Sequence, residues 1–129
     1  MDIVLDFDGT VVLHSFPEIG EDIGAVSVLK KLVENNHRLI LFTMRSEKFL
    51  DDAVKWFSDN SISLYGIQTN PTQHNWTKSP KAYGQLIIDD AALGAPLKFD
   101  IEIHPRPFID WDRADKMFEE MGLYNKSQV

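Results

Sequence analysis

The sequence predicts a single α/β domain built on a parallel sheet, and three observations predict it. Ile3-Val4-Leu5, Leu39-Ile40-Leu41-Phe42 and Leu86-Ile87-Ile88 are apolar runs without polar alternation, the pattern of strands buried on both faces. Segments with helical period stand between strands, as crossover connections of a parallel sheet require. Each run then stops at polar residues, namely Asp6 with Asp8, Thr43, and Asp89 with Asp90. In open α/β sheets the ligand site lies beyond the carboxyl ends of the strands. The expected architecture is three-layered and doubly wound, and 129 residues suit one domain over 1–129.

The elements follow in order. Asp2 to Phe7 reads as a short buried strand ended by Gly9. Glu21 to Asn36 reads as a helix with Ile23, Val26, Leu29, Leu32 and Val33 on one face and acids in its first turn. His37 to Thr43 is the second strand. Ser46 is the expected N-cap of a helix to Asn60, with Phe49, Leu50, Ala53, Val54 and Phe57 facing inward. Trp56 is read as core with them. Ser63 to Gln68 is a weaker strand, and Asn70 to Ser79 is loop by composition. Gln85 to Ile88 is the next buried strand, Ile101 to Ile103 a further short one. Trp111, Ala114, Met117, Phe118 and Met121 mark a last helix stopped at Gly122.

Composition excludes several classes. Hydrophobic residues at 43% and charged residues at 26% argue against disorder. No apolar run approaches the ~20 residues of a membrane helix, and no basic, apolar leader is visible at Met1, so a cytoplasmic protein is expected. The absence of cysteine removes disulfides, thiolate metal sites and a cysteine nucleophile. A net charge of -7 gives long nucleic acid no help from the overall field, without excluding a local basic patch.

Asp6, Asp8, Asp89 and Asp90 would share one crevice if their strands lie side by side. Any one of them is most simply a cap or loop residue. Four at two strand ends would repel unless a cation neutralised them, and oxygen ligands suit a hard ion such as magnesium.

Leu5-Asp6-Phe7-Asp8-Gly9-Thr10, Leu41-Phe42-Thr43, a later lysine and Ile87-Ile88-Asp89-Asp90 resemble the four motifs of the haloacid dehalogenase (HAD) superfamily of phosphohydrolases. They occur in that family's order and span most of the chain. The resemblance implies a HAD-like Rossmannoid fold and a magnesium-dependent phosphatase. Asp6 would be the nucleophile, forming an aspartyl phosphate. Asp8 would be general acid and then base, with its backbone carbonyl helping to hold the ion. Gly9 would permit the tight turn after the strand, Gly9 and Thr10 would bind substrate, and Thr43 would hydrogen-bond the transferring phosphoryl group. Magnesium would be held by Asp6 and Asp90, with Asp89 in support. Lys81, in Ser79-Pro80-Lys81, fits the motif lysine better than Lys78. Arg45 could bind substrate phosphate, pair with a carboxylate of the site or lie at the surface; it is taken as substrate-binding.

Other residues carry less. His14 lies where the family has a hairpin-like flap, and a lone loop histidine is expected not to touch substrate. His37, His74 and His104 are too scattered for a ligand cluster, and Trp76 is expected to anchor its own loop. Neither interval between motifs has room for a cap domain, so the site should be open to a phosphorylated substrate, macromolecular ones included. A homo-oligomer is left open. Two other readings compete: a phosphoacceptor similar to response-regulator receivers, and a catalytically silent binding module. The third strand, Tyr65 to Thr69, lacks the aspartate that receivers phosphorylate, which favours the hydrolase.

Overall fold

The structure, a computed structural model, describes residues 1–125. Among these residues the chain forms β1 (Asp2–Leu5), α1 (Ala25–Glu34), β2 (Arg38–Leu41), α2 (Glu47–Asp59), β3 (Gly66–Ile67), a short 3-10 turn (Gln73–Asn75), β4 (Leu86–Ile88), β5 (Leu97–Lys98), β6 (Phe108–Ile109) and α3 (Trp111–Glu120). The first four strands make one parallel sheet in the order β3-β2-β1-β4. β1 is central, with Leu5 opposite Leu41 on one side and Ile88 on the other. That register sets the residues after all three strands at one sheet end.

Strand alternation sends Ile3, Leu5, Leu39 and Leu41 to one face, where they join a continuous buried cluster. Ala25, Val28, Leu29 and Leu32 of α1, Ala53 and Phe57 of α2, and Trp111, Ala114 and Phe118 of α3 enter the same cluster. Each fully buried aliphatic side chain is worth roughly 1.5–3 kcal/mol of transfer free energy, so this face dominates stability.

Val4 and Ile40, equally buried, face the other way. There the cover is the segment between β3 and β4, so close that a Cβ on Gly84 would lie 2.8 Å from Val4 Cγ2. Buried Asn70 ties this segment to Asp2 at 2.9 Å and to the Tyr83 carbonyl at 3.1 Å. Burial opposes ionisation of Asp2, yet the bonds from Arg38 and Asn70 hold its carboxyl below the ordinary range. The fold is therefore a small Rossmann-like α/β domain with a four-stranded parallel sheet and three helices among the described residues. The second helical layer expected of a three-layer sheet is taken up by this segment, whose proline-broken, polar sequence carries no helical period. No helix of the described residues is long and apolar enough to cross a membrane.

Several expectations are corrected in detail. α1 starts after Glu21 and Asp22 because Gly24, at φ +98°, is not helical; Asp22 instead accepts the Ala25 N–H at 2.9 Å. Ser46 precedes α2 but its hydroxyl makes no capping bond. Phe49 is exposed, packed edge-on against Phe16 at 5.3 Å between ring centroids. Ile87 is exposed, because β4 is an edge strand. Ile101 to Ile103 is a turn held by the Asp100 carbonyl and carboxylate, not a strand. The pairing there is made by β5 and β6, antiparallel and absent from the sequence expectations.

Candidate active site

The site is assembled where β1 and β4 end. Asp6 is still tied to β4, its N–H donating to the Ile88 carbonyl at 3.0 Å. The chain then coils tightly, with Thr10 and Val11 N–H both directed at the Phe7 carbonyl. Gly9 stands at φ +79°, and a Cβ there would meet the His14 ring at 2.1 Å and Asp90 at 2.7 Å. Only glycine satisfies both conditions. Two contacts anchor the coil from behind: Ile109 N–H to the Gly9 carbonyl at 3.1 Å, and Trp111 Nε1–H to the Thr10 carbonyl at 2.7 Å.

Thr10 is fully buried, and its hydroxyl joins the two strand ends. It accepts the Asp90 N–H at 3.0 Å and lies 2.8 Å from Asp6 Oδ2 and 3.2 Å from Asp90 Oδ1, the acceptors for its single proton. Asp6, Asp89 and Asp90 each bring an oxygen within 4.8 Å of the others. Burial pushes the Asp6 carboxyl up to about 7; the Asp89 charge and the Asp90 hydrogen bond add to this, while the Thr10 bond works against it. Three carboxylates held so close need a proton or a cation between them, and an all-oxygen set at this spacing fits a hard divalent ion. The residues present thus fit the ion implied by the resemblance.

His14 is also brought to this cluster. Its Nε2 lies 3.2 Å from Asp90 Oδ2 and 3.2 Å from the Pro107 carbonyl. Both neighbours are acceptors, so Nε2 carries the proton. His104 Nε2 in turn donates to the His14 carbonyl at 2.8 Å, which leaves its Nδ1 to accept the Arg106 N–H at 3.0 Å.

Asp8 lines the same cavity but stands outside this group of three acids. Both its oxygens accept from Arg45, from Nε and Nη2, at 2.7 Å each. The Arg45 side chain is only 1% exposed. Its remaining N–H groups reach the carbonyls of Glu18 at 2.8 Å, Pro17 at 3.3 Å and Phe49 at 3.4 Å. All five guanidinium donors are thereby used. Substrate binding by Arg45 is corrected: of the roles open to it, the structure selects pairing with a carboxylate.

Thr43 lines the cavity above Asp6, which measures about 490 Å³, together with Asp8, His14, Phe16 and Arg106. Its backbone is clamped on both sides by Gln68, which accepts the Thr43 N–H at 2.8 Å and donates to the Thr43 carbonyl at 2.7 Å. Its hydroxyl accepts the Arg45 N–H at 3.1 Å. Lys81 is not brought to this cavity, and neither is Lys78. Lys81 is exposed beside Trp76 and Ile87, within the segment over the second face. Trp76 does pack within its own region, edge-on to Tyr83 at 5.2 Å. Sequence reasoning missed His14, Gln68, His104 and Arg106. Only His14 had a signal, its place just after the Asp-x-Asp-Gly-Thr run.

No family model matches the chain, and no curated protein does. Among solved structures, that of a conserved protein coded by a locus of Bacteroides thetaiotaomicron is similar, at 34% identity and a TM-score of 0.77. The likeness covers 94% of this chain and 91% of the other. At that identity over nearly the full length of both, the chain belongs to the same family as this conserved Bacteroides thetaiotaomicron protein.

Proposed function

We propose that the chain is a magnesium-dependent phosphatase, a small capless relative of the HAD phosphohydrolases. On this reading the doubly wound sheet is reduced to one helical layer, and the protein works in the cytoplasm on phosphomonoesters. The observation that carries the reading is the Asp6–Asp89–Asp90 cluster, locked by Thr10 and open to a cavity that Thr43 also lines.

A divalent ion held by Asp6, Asp89 and Asp90 would supply the positive charge that lets a carboxylate approach a phosphate dianion. The Thr10 bond fixes the rotation of the Asp6 carboxylate towards the cavity. An Asp6 oxygen attacks phosphorus, a bond from Asp6 to phosphorus forms, and the bond to the substrate oxygen breaks. Asp8 gives a proton to that leaving oxygen. Water then attacks the same phosphorus, Asp8 takes its proton, and the bond from phosphorus to Asp6 breaks, which releases phosphate and restores the Asp6 carboxylate. Thr43, held by Gln68, donates to the phosphoryl oxygens. With no cap among the described residues, the cavity admits phosphates on large molecules as well as small ones.

One observation favours a second reading. Both Asp8 oxygens are engaged by Arg45, so proton transfer requires that pair to loosen. A pair that stays closed would leave a long-lived phosphoryl group on Asp6, the behaviour of a phosphoacceptor. A panel of phosphomonoesters with magnesium, run beside Asp6→Asn, separates these readings. Metal-dependent turnover lost in Asp6→Asn supports the phosphatase; a stable phosphoprotein without turnover supports the phosphoacceptor.

A further inference from the structure

The cavity above Asp6 holds two arginines in opposite states. Arg45 is buried with every N–H group engaged. Arg106 is exposed at the cavity, and its guanidinium meets no protein acceptor among the described residues. Among the described residues it is the cation left free in the cavity that Asp6, Asp8, Asp89 and Asp90 line, because Lys81 and Lys78 do not line this space.

Its backbone is held in place even though its side chain is free. Pro105 and Pro107 flank it, each with φ restricted by its ring. The Arg106 N–H donates to His104 Nδ1 at 3.0 Å, and His104 Nε2–H donates to the His14 carbonyl at 2.8 Å. His14 Nε2–H closes the circuit onto the Pro107 carbonyl at 3.2 Å, while also facing Asp90 at 3.2 Å. The Arg106 loop is therefore fastened directly to the acidic cluster. A planar guanidinium on a fastened backbone suits two-point binding of an oxyanion, and its forked donors match phosphate geometry better than an ammonium does.

We propose that Arg106 binds the ionised phosphoryl oxygens of the substrate, in a cavity that the expected motif lysine, Lys81, does not line. The proposal deepens the phosphatase reading and rests on it for the substrate's class, a phosphomonoester dianion. The His14–His104 circuit positions Arg106 and touches no substrate itself.

The test is calorimetric titration of inorganic phosphate into the full chain with saturating magnesium, for wild type, Arg106→Ala, Arg106→Lys and Lys81→Ala. Turnover of para-nitrophenyl phosphate is followed in parallel. Losing charge-assisted hydrogen bonds should weaken phosphate binding roughly 10–100-fold in Arg106→Ala and raise KM by a similar factor. Arg106→Lys should recover part of the affinity, since it keeps the charge and loses the fork. Because the guanidinium has no partner among the described residues, the melting temperature should be unchanged in these variants. Wild-type affinity in Arg106→Ala, a larger loss in Lys81→Ala, or no phosphate binding by the wild type would overturn the proposal. Turnover that survives in Arg106→Ala with an unchanged KM overturns Arg106 and leaves the phosphatase standing. Phosphate binding that depends on Arg106, in a wild type that hydrolyses nothing, supports Arg106 and overturns the phosphatase.

Discussion

Asp6 and Asp8 are chemically identical and two positions apart, yet their surroundings differ in sign. Asp6 faces other carboxylates, whereas Asp8 faces a buried guanidinium. Their substitutions should therefore move stability in opposite directions. Asp6→Asn removes one of the mutually repelling charges, so the metal-free protein should melt higher while hydrolysis falls by several orders of magnitude. Asp8→Ala leaves Arg45 charged and buried without its partner, a loss of about 3–5 kcal/mol. Asp8→Asn keeps an acceptor for Arg45 and should cost roughly 10²–10⁴-fold in turnover, the usual worth of acid–base catalysis. Denaturant melts of the metal-free variants check the two signs; a destabilised Asp6→Asn would mean the acids are not in conflict.

At the scale of elements, the site depends on the contact between the coil after β1 and the start of α3. Trp111→Phe keeps the ring but removes the donor to the buried Thr10 carbonyl, and should cost about 1–3 kcal/mol for the unsatisfied group. Because Thr10 also holds Asp6 and Asp90, this variant should lower magnesium affinity although Trp111 touches none of the acids. Magnesium titration of Trp111→Phe checks this. The coil and the acids were legible in the sequence: β1, β2 and β4 are apolar runs, and Asp6, Thr43, Asp89 and Asp90 follow directly from their ends. The antiparallel β5 and β6 were not, since two-residue strands carry no periodicity, and Ile101 to Ile103 offered a stronger but misleading apolar run. His104 and Arg106 reach the site only through that hairpin, so no spacing rule connects them with Asp6. Lys81 was misplaced for a related reason. Lys81 was chosen for its place shortly before β4, and the segment that carries it lies over the second face of the sheet, away from the strand ends where the acids gather. Arg45 shows the limit of residue type: its position beside the site was readable, and its full engagement with Asp8 and three carbonyls was not.

For the molecule as a whole, the acidic cluster should link stability to pH and, on the proposed reading, to metal. The Asp6 carboxyl is raised from its ordinary 3.8 to about 7, so between those values the folded state holds a proton that the unfolded state has lost. Stability from this group is complete below about 4 and is lost as pH rises through 7. A cation held there would replace that proton, so magnesium should raise the melting temperature more at pH 8 than at pH 5. At ~100 times the dissociation constant the gain is about 2.7 kcal/mol. A shift that is absent, or undiminished in Asp90→Ala, would remove the ion from this cluster. The central claim, that Asp6 carries the phosphoryl group, is tested most directly by trapping. A reaction with a phosphomonoester and magnesium is quenched during turnover, acyl phosphates are reduced with borohydride, and the modified residue is located by peptide mass spectrometry. Homoserine is expected at position 6 in the wild type and none in Asp6→Asn. Steady turnover with no modification at position 6, or modification at another carboxylate, would contradict it.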